Sequence, residues 1–319
     1  MNGEIVPVPS DRPTFLAMPR CTDLDTLDAD IAIIGIPYST PYDMAASRGD
    51  CSAAPDAIRA QSLRPARFLT HYDFDFGGDI FAGRTVRIVD CGDVAMTPGA
   101  YEANNHTATR AIRAILDHGA IPIVLGGDHA IPIPVLRAYE GRAPMCIVQI
   151  DAHLDWRDER NGVREGLSSP MRRASESPWI CGMAQIGLRS VGSGRQSEFD
   201  DARAYGSVLI GAEELHRIGV EDVLARIPAA ERYYMTFDAD GLDPSIAPGT
   251  RALAFGGVTY YEATNLLRGI AAKGRIVGLD FVEVAPAIDV RNMTSFLAAR
   301  LILNLIGALA HTGQIGHDP

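Results

Sequence analysis

The chain of 319 residues is 47% hydrophobic and 22% charged, a composition typical of a folded globular protein, which excludes a disordered chain. Its formal net charge of -11 excludes nucleic acid and anionic membrane surfaces as main partners, because both require a basic face. Neither a basic start followed by an apolar run nor an apolar stretch of about 18 residues is present, so we predict a cytoplasmic protein without a membrane span.

The chain begins with a segment that differs in composition from the rest. Residues 1–28 are rich in proline and polar groups, and we predict an N-terminal arm that packs on the surface or on a neighbouring subunit. Residues 29–319 contain no linker, repeat or low-complexity tract. They are therefore predicted to form a single catalytic domain.

Short apolar runs alternate with longer helical segments along this domain. Strands are predicted at 31–36, 86–93, 120–129, 145–153, 183–190, 207–213, 233–240 and 275–283. Helices are predicted at 103–118, 219–226, 259–273 and 294–311. Continuous apolar strands alternating with helices indicate the α/β class, with a mostly parallel central sheet of about eight strands in a three-layer α-β-α arrangement.

Four of the predicted strands end in residues that commonly bind metal. The motifs are GGDH (126–129), DAHLD (151–155), FDADGLDP (237–244) and DFVEV (280–284). In an open α/β sheet the carboxyl ends of the strands form the ligand crevice, so residues distant in sequence meet there. In the second motif, Asp151, His153 and Asp155 alternate, and they would share one side if strand geometry continued through them.

The combined donor set predicts bound cations. Each motif alone is typical of a turn, a helix cap or a solvated rim, but several carboxylates in one crevice repel one another unless cations lie between them. Imidazole beside carboxylate suits Mn, Fe, Co, Ni or Zn better than Ca or Mg. Six donors, including aspartates that can bridge, favour a pair of ions, an arrangement that commonly generates a hydroxide nucleophile.

In order and spacing, the four motifs resemble the signatures of the ureohydrolase family, which includes arginase and agmatinase. The resemblance runs from about residue 34 to the final helix and is closest to the agmatinase branch. It implies an arginase-like fold. It also implies hydrolysis of a guanidino C–N bond in a small guanidino compound, giving an amine plus urea or a urea derivative.

The resemblance also implies roles for individual residues. Two divalent ions per chain, Mn²⁺ by family default or Ni²⁺ as the alternative, would be held by His129, Asp151, His153, Asp155, Asp238 and Asp240. Asp151 and Asp238 would bridge the ions. Asp155 would contact the hydroxide between them, and Glu283 would bind the guanidinium of the substrate. Family members are expected to form trimers or hexamers, and assembly with a paralogous subunit is the alternative.

The sequence departs from the family pattern after DAHLD. Most ureohydrolases carry a serine-histidine-glycine segment there, whose histidine is proposed to shuttle protons, whereas this chain has Ser168 and Ser169 and no histidine between 154 and 215. Water held by these serines, or the leaving group itself, is expected to carry the proton. A turn or helix cap before residues 170–176 is the alternative role for both serines.

A second departure affects the substrate. After FDADGLDPSIAPGT the chain continues as RALAFGG, which introduces Arg251. We expect this arginine either to repel a cationic substrate such as agmatine or to bind the carboxylate of a guanidino acid. The substrate is therefore left open among agmatine, guanidino acids and substituted guanidines such as biguanides. A weakly active or regulatory subunit of a hetero-oligomer is an alternative function. Deacetylase-like chemistry on the same architecture is a further alternative.

Overall fold

The computed structural model describes residues 4–38, 50–97 and 99–318. Within these ranges nine strands form one sheet. They are β1 (Ile5–Val6), β2 (Ile31–Ile36), β3 (Ile88–Val94), β4 (Ile121–Gly126), β5 (Met145–Ile150), β6 (Ile180–Leu188), β7 (Val208–Gly211), β8 (Arg232–Asp238) and β9 (Arg275–Val282). Their order is β1-β3-β2-β4-β9-β8-β5-β6-β7.

The sheet confirms the predicted α/β class with mostly parallel strands. Every neighbouring pair is parallel except β1 with β3, which pair antiparallel with Ile5 opposite Val94. Each of the eight predicted runs forms a strand. The ninth strand, β1, has only two residues, and so short a segment carries no readable alternation in sequence.

Helices connect the strands. In the described ranges they are α1 (Ala54–Ala66), α2 (Tyr101–Asp117), α3 (Pro132–Arg137), α4 (Pro170–Ser175), α5 (Gln196–Tyr205), α6 (Ala212–Ile218), α7 (Val220–Arg226), α8 (Tyr260–Lys273) and α9 (Met293–His311). The four predicted helices appear as α2, α7, α8 and α9. The predicted three layers follow from the side chains of β2, where Ile31 and Ile33 belong to the core with α1, α8 and α9, whereas Ala32 and Ile34 belong to the core with α2 and α3.

The C-terminal helix is unusually apolar. The stretch Val290–His311, which includes α9, is long and apolar enough to cross a membrane by length and composition alone. However, 78% of its most apolar window is buried inside the protein. This burial is typical of a core helix, and the length criterion is therefore weak evidence for a span.

The order of the central strands determines where the four motifs meet. GGDH follows β4, DAHLD follows β5, FDADGLDP includes the end of β8, and DFVEV includes the end of β9. These strands lie side by side in the order β4-β9-β8-β5, and all run in the same direction. Their carboxyl ends therefore lie side by side, in the middle of the sheet.

Candidate metal centre and active site

The loop after β4 brings His129 over the strand ends. A Cβ atom on Gly127 would lie 1.7 Å from the backbone oxygen of Tyr38, so only glycine permits this approach. The next residue, Asp128, donates its backbone N–H to the same oxygen at 2.9 Å. His129 follows directly and is fully buried, with 1% of its surface exposed.

Three carboxylates surround one nitrogen of His129. Its Nδ1 lies 2.9 Å from Asp151 Oδ2, 2.9 Å from Asp155 Oδ2 and 3.1 Å from Asp238 Oδ2. None of these contacts has the angle of a hydrogen bond, and Nδ1 and Asp155 Oδ2 are buried without a partner among the described residues. Lone pairs that converge in this way, without donors between them, are expected of ligands arranged around a cation.

The other nitrogen of His129 is fixed by a buried hydrogen-bond chain. His129 Nε2 lies 2.9 Å from Thr236 Oγ1, and that hydroxyl is 2.7 Å from Asp280 Oδ1. Tyr234 donates its hydroxyl to Asp280 Oδ2 at 2.5 Å. Because the Thr236 hydroxyl donates to Asp280, its oxygen accepts a hydrogen bond from the Nε2–H group of His129. Nδ1 therefore faces the carboxylates without a proton, as a ligand does.

A second triad lies beside the first and shares Asp151 with it. His153 Nδ1 is 3.1 Å from Asp240 Oδ2 and 3.4 Å from Asp151 Oδ1. In each triad, the first formed by His129, Asp151 and Asp238 and the second by Asp151, His153 and Asp240, one ligand atom per residue lies within 4.8 Å of the others. The geometry therefore offers two neighbouring ion positions with a common carboxylate.

The DAHLD motif converges through a turn. Strand β5 ends at Ile150, so the strand geometry considered for residues 151–155 does not continue. Instead, the Asp151 carboxylate accepts the backbone N–H of His153 at 2.6 Å, and Asp155 adopts a φ of 55°. This left-handed conformation is held by the first turn of α4, where the N–H groups of Met171 and Arg172 donate to the Asp155 carbonyl at 3.2 Å.

The charges of the site support a cation pair. Burial, followed by repulsion from Asp151, raises the pKa of Asp155 to about 7 and that of Asp240 to about 6. Burial would lower the pKa of His129, but the neighbouring carboxylates outweigh it and raise that pKa well above the ordinary value. Without metal, the site therefore holds protons, whereas divalent ions would neutralise the same carboxylates when bound. The residues fit two such ions.

Glu283 lies at the rim of the cluster. It follows β9 with a φ of 61°, and its Oε1 accepts the backbone N–H of His129 at 2.9 Å. Its Oε2 accepts the thiol of buried Cys51 at 3.3 Å and lies 3.5 Å from Arg251 Nη2. The structure therefore pairs the predicted guanidinium-binding carboxylate with the predicted specificity residue.

The two serines lie where α4 begins. Ser169 takes the N-cap position but makes no side-chain cap bond, and its hydroxyl is buried without a partner in the described part of the chain. The carbonyl of Ser168 accepts the backbone N–H of Arg157 at 2.9 Å. The helix-cap position is thus observed for Ser169 without the cap hydrogen bond, and substrate binding by either serine stays a prediction.

Several supporting residues were missed by the sequence reasoning. Gln149 donates to Asp151 Oδ2 at 2.6 Å, Gln185 donates to Gln149 Oε1 at 2.6 Å, and Trp156 donates to Gln185 Oε1 at 2.7 Å. Thr236, Asp280 and Cys51 were missed as well. A sequence signal was available for Gln149, Gln185 and Thr236. Each is a polar residue inside an apolar strand run (MCIVQI, MAQIGL and YYMTFD), and such residues need buried partners.

Metal removal is expected to destabilise the protein more at pH 8 than at pH 5.5. Without metal, Asp155 and Asp240 have folded pKa values of about 7 and about 6, above the ordinary 3.8, so their contribution to stability is present at low pH and is lost as pH rises. Thermal unfolding with and without EDTA should show a midpoint difference at pH 8 that exceeds the pH 5.5 difference by about 5 °C. An EDTA effect independent of pH would contradict this account.

Comparisons with known proteins agree with this geometry. The model of the Arginase family matches residues 29–307. The chain is 31% identical to guanidinobutyrase of Pseudomonas aeruginosa, covering 93% of this chain and 92% of that one, and 33% identical to agmatinase of Sodalis glossinidius, covering 92% and 91%. Its structure is similar to proclavaminate amidino hydrolase of Streptomyces clavuligerus, with a TM-score of 0.81, 29% identity and coverage of 95% and 98%. The predicted resemblance is confirmed, and the chain belongs to the arginase family of binuclear metal-dependent hydrolases.

Proposed function

We propose that this protein is a binuclear-metal amidinohydrolase that cleaves a guanidino C–N bond of a small guanidino compound. The products would be an amine and urea or a urea derivative. One observation carries the proposal: two His/Asp triads share Asp151, and Glu283 is hydrogen-bonded to the backbone of His129 at their rim. Relatives named guanidinobutyrase, guanidinopropionase and agmatinase support the same reaction class.

The six predicted ligands are the residues that would hold the metals. His129 and Asp155 would serve the first ion, His153 and Asp240 would serve the second, and Asp151 and Asp238 would serve both. Mn²⁺ is the expected ion and Ni²⁺ the alternative. Two such ions lower the pKa of water and stabilise negative charge, and so supply a nucleophile near neutral pH. Mixed nitrogen and oxygen donors suit both metals.

The side chains of the protein would position the reactants. Glu283 presents a carboxylate that would match the planar donor fork of a guanidinium, and this contact would orient the substrate toward the cluster. Asp155 Oδ2, buried without a donor among the described residues, would accept a hydrogen bond or a proton from the nucleophile. The departing amine must then be protonated, and water beside Ser168 or Ser169 is the proposed donor.

The pairing of Arg251 with Glu283 favours a guanidino acid over agmatine. When a substrate guanidinium takes Glu283, Arg251 loses the carboxylate that now lies 3.5 Å away. A carboxylate at the far end of the substrate would replace it, whereas the second cation of agmatine would be repelled. If the far end of the substrate lies about 8 Å from the Arg251 charge, at an effective dielectric of about 20, its interaction energy with Arg251 differs by roughly 4 kcal/mol between a carboxylate and a cation. Screening at this partly exposed position weakens the effect.

Replacing Arg251 by Met should therefore change substrate preference. For R251M we expect kcat/KM for guanidinobutyrate or guanidinopropionate to fall by about 30-fold, while kcat/KM for agmatine stays equal or rises. The measurement is urea and amine release, by mass spectrometry, across a panel that also includes arginine, guanidine and a biguanide. Arg217 lies exposed on α6, and R217Q serves as the control that removes the same charge elsewhere.

The outcomes separate the reaction from its specificity. Equal losses for acids and agmatine in R251M would refute carboxylate recognition but leave the reaction intact. Silence of the wild type across the panel, with two ions bound, would instead support the alternative of a regulatory subunit. The absence of histidine between 154 and 215 is the observation that keeps this alternative in view.

A further inference from the structure

A cleft lined by arginines lies at the amino-terminal ends of the central strands, opposite the carboxyl ends that carry the metal centre. Arg232 is the first residue of β8, Arg275 is the first residue of β9, and Arg142 lies between α3 and β5. Together with apolar residues at the end of α2 and the start of β4, they line a cleft of about 230 Å³. Asp238 lies six residues after Arg232, at the other end of β8, which corresponds to about 20 Å.

Two of the three arginines have no acidic partner. Arg142 donates to the carbonyl of Leu116 at 3.4 Å and forms an ion pair with Asp117. Arg232 and Arg275 form no ion pair with any residue in the described ranges. Moreover, Arg232 Nε is a buried donor without an acceptor in the same part of the chain. The cleft therefore contains unused guanidinium donors.

The arrangement is electrostatically unfavourable when the cleft holds only water. Arg232 and Arg275 are register partners on neighbouring parallel strands, so their charges are held close together. Burial and then the charges of Arg275 and Arg142 lower the pKa of Arg232. A chain with a net charge of -11 does not place three cations together through general basicity, and an anion between them would offset the repulsion.

We propose that this cleft is a binding site for phosphate, a small oxyanion that carries close to two negative charges near neutral pH. Guanidinium groups present paired donors that match the oxygens of such anions. The cleft is larger than the roughly 30 Å³ of a single water and smaller than the roughly 300–1,000 Å³ typical of drug-sized ligands. This size favours a compact dianion, and the site is independent of the proposed reaction.

Equilibrium dialysis of the metal-loaded protein with radiolabelled inorganic phosphate, at constant ionic strength set by chloride, tests the proposal. We expect saturable binding of about one phosphate per chain. Both R275Q and R232Q should weaken it by about tenfold or more, because each removes a charged donor. R217Q, which removes one arginine from exposed α6, should bind phosphate like the wild type.

Thermal unfolding supplies a second readout that does not depend on activity. Since Arg275 is exposed at a strand start, R275Q is expected to fold. In chloride alone, R275Q should unfold at a higher temperature than the wild type, because it removes the repulsion of Arg232. Added phosphate should raise the midpoint of the wild type more than that of R275Q.

Three results would overturn the proposal. The first is the absence of saturable phosphate binding. The second is saturable binding that R275Q and R232Q leave unchanged, which would place the phosphate at the metals or elsewhere. The third is a change of oligomeric state in R275Q, which would show that the arginines bind carboxylates of another chain.

Discussion

Replacing Asp151 by Asn is expected to remove metal from both positions of the cluster. Asp151 is the residue common to the two triads, with Oδ2 facing His129 and Oδ1 facing His153. An amide carries no negative charge and offers a single oxygen, so D151N cannot bridge two cations. We expect metal content to fall from about two ions per chain to well below one, and activity to fall by about 10³-fold or more, equivalent to about 4 kcal/mol.

The matched variant is Asp240→Asn. Asp240 belongs only to the triad with His153, so D240N should lose one ion and keep the other. Elemental analysis after dialysis gives the ion count directly, and the unfolding midpoint of D151N should no longer respond to added Mn²⁺ or Ni²⁺. Two ions retained in D151N, or both lost in D240N, would contradict the assignment of Asp151 as the shared ligand.

The strands and the grouping of the motifs were predictable for physical reasons. Parallel strands buried on both faces read as continuous apolar runs, and β2, β4 and β5 are buried along their full length. Ligand-type residues after such runs share an edge because parallel strands end on the same side. These two regularities explain why His129, Asp151 and Asp238 could be grouped before their distances were known.

Contacts made by isolated residues could not be predicted. Cys51 donates to Glu283 across 232 positions of sequence, and no local pattern marks a thiol as a partner of a distant carboxylate. The convergence of Asp155 depends on a left-handed backbone held by α4, whereas sequence periodicity describes only regular strands and helices. The antiparallel strand β1 was not predicted for a related reason, because a segment of two residues is too short to show an alternating pattern.

Replacing Glu283 by Gln is expected to weaken substrate binding while leaving the metals in place. Glu283 is not a member of either triad, so E283Q should retain about two ions per chain. Gln keeps an oxygen for the backbone N–H of His129 but loses the charge that pairs with a guanidinium. Because truncating one side of a buried charge pair costs about 2–5 kcal/mol, kcat/KM should fall by about 10²- to 10³-fold.

The same variant should also release Arg251. The amide group of Gln would face Arg251 and Cys51 with donors where Glu283 Oε2 now accepts, so both contacts would be lost. Since the left-handed backbone at residue 283 is unchanged between Glu and Gln, the unfolding midpoint should change by only a few degrees. E213Q, on the exposed face of α6, provides a control of identical charge change.

Measuring kcat/KM, metal content and unfolding together distinguishes the explanations for a loss of activity in E283Q. Loss of activity with two ions and a near-native midpoint would support guanidinium binding by Glu283. Loss of metal would mean that Glu283 stabilises the cluster through the backbone of His129 instead. Full activity would show that the guanidinium is held by other groups, and the pairing of Arg251 with Glu283 would then no longer support a guanidino acid as the substrate.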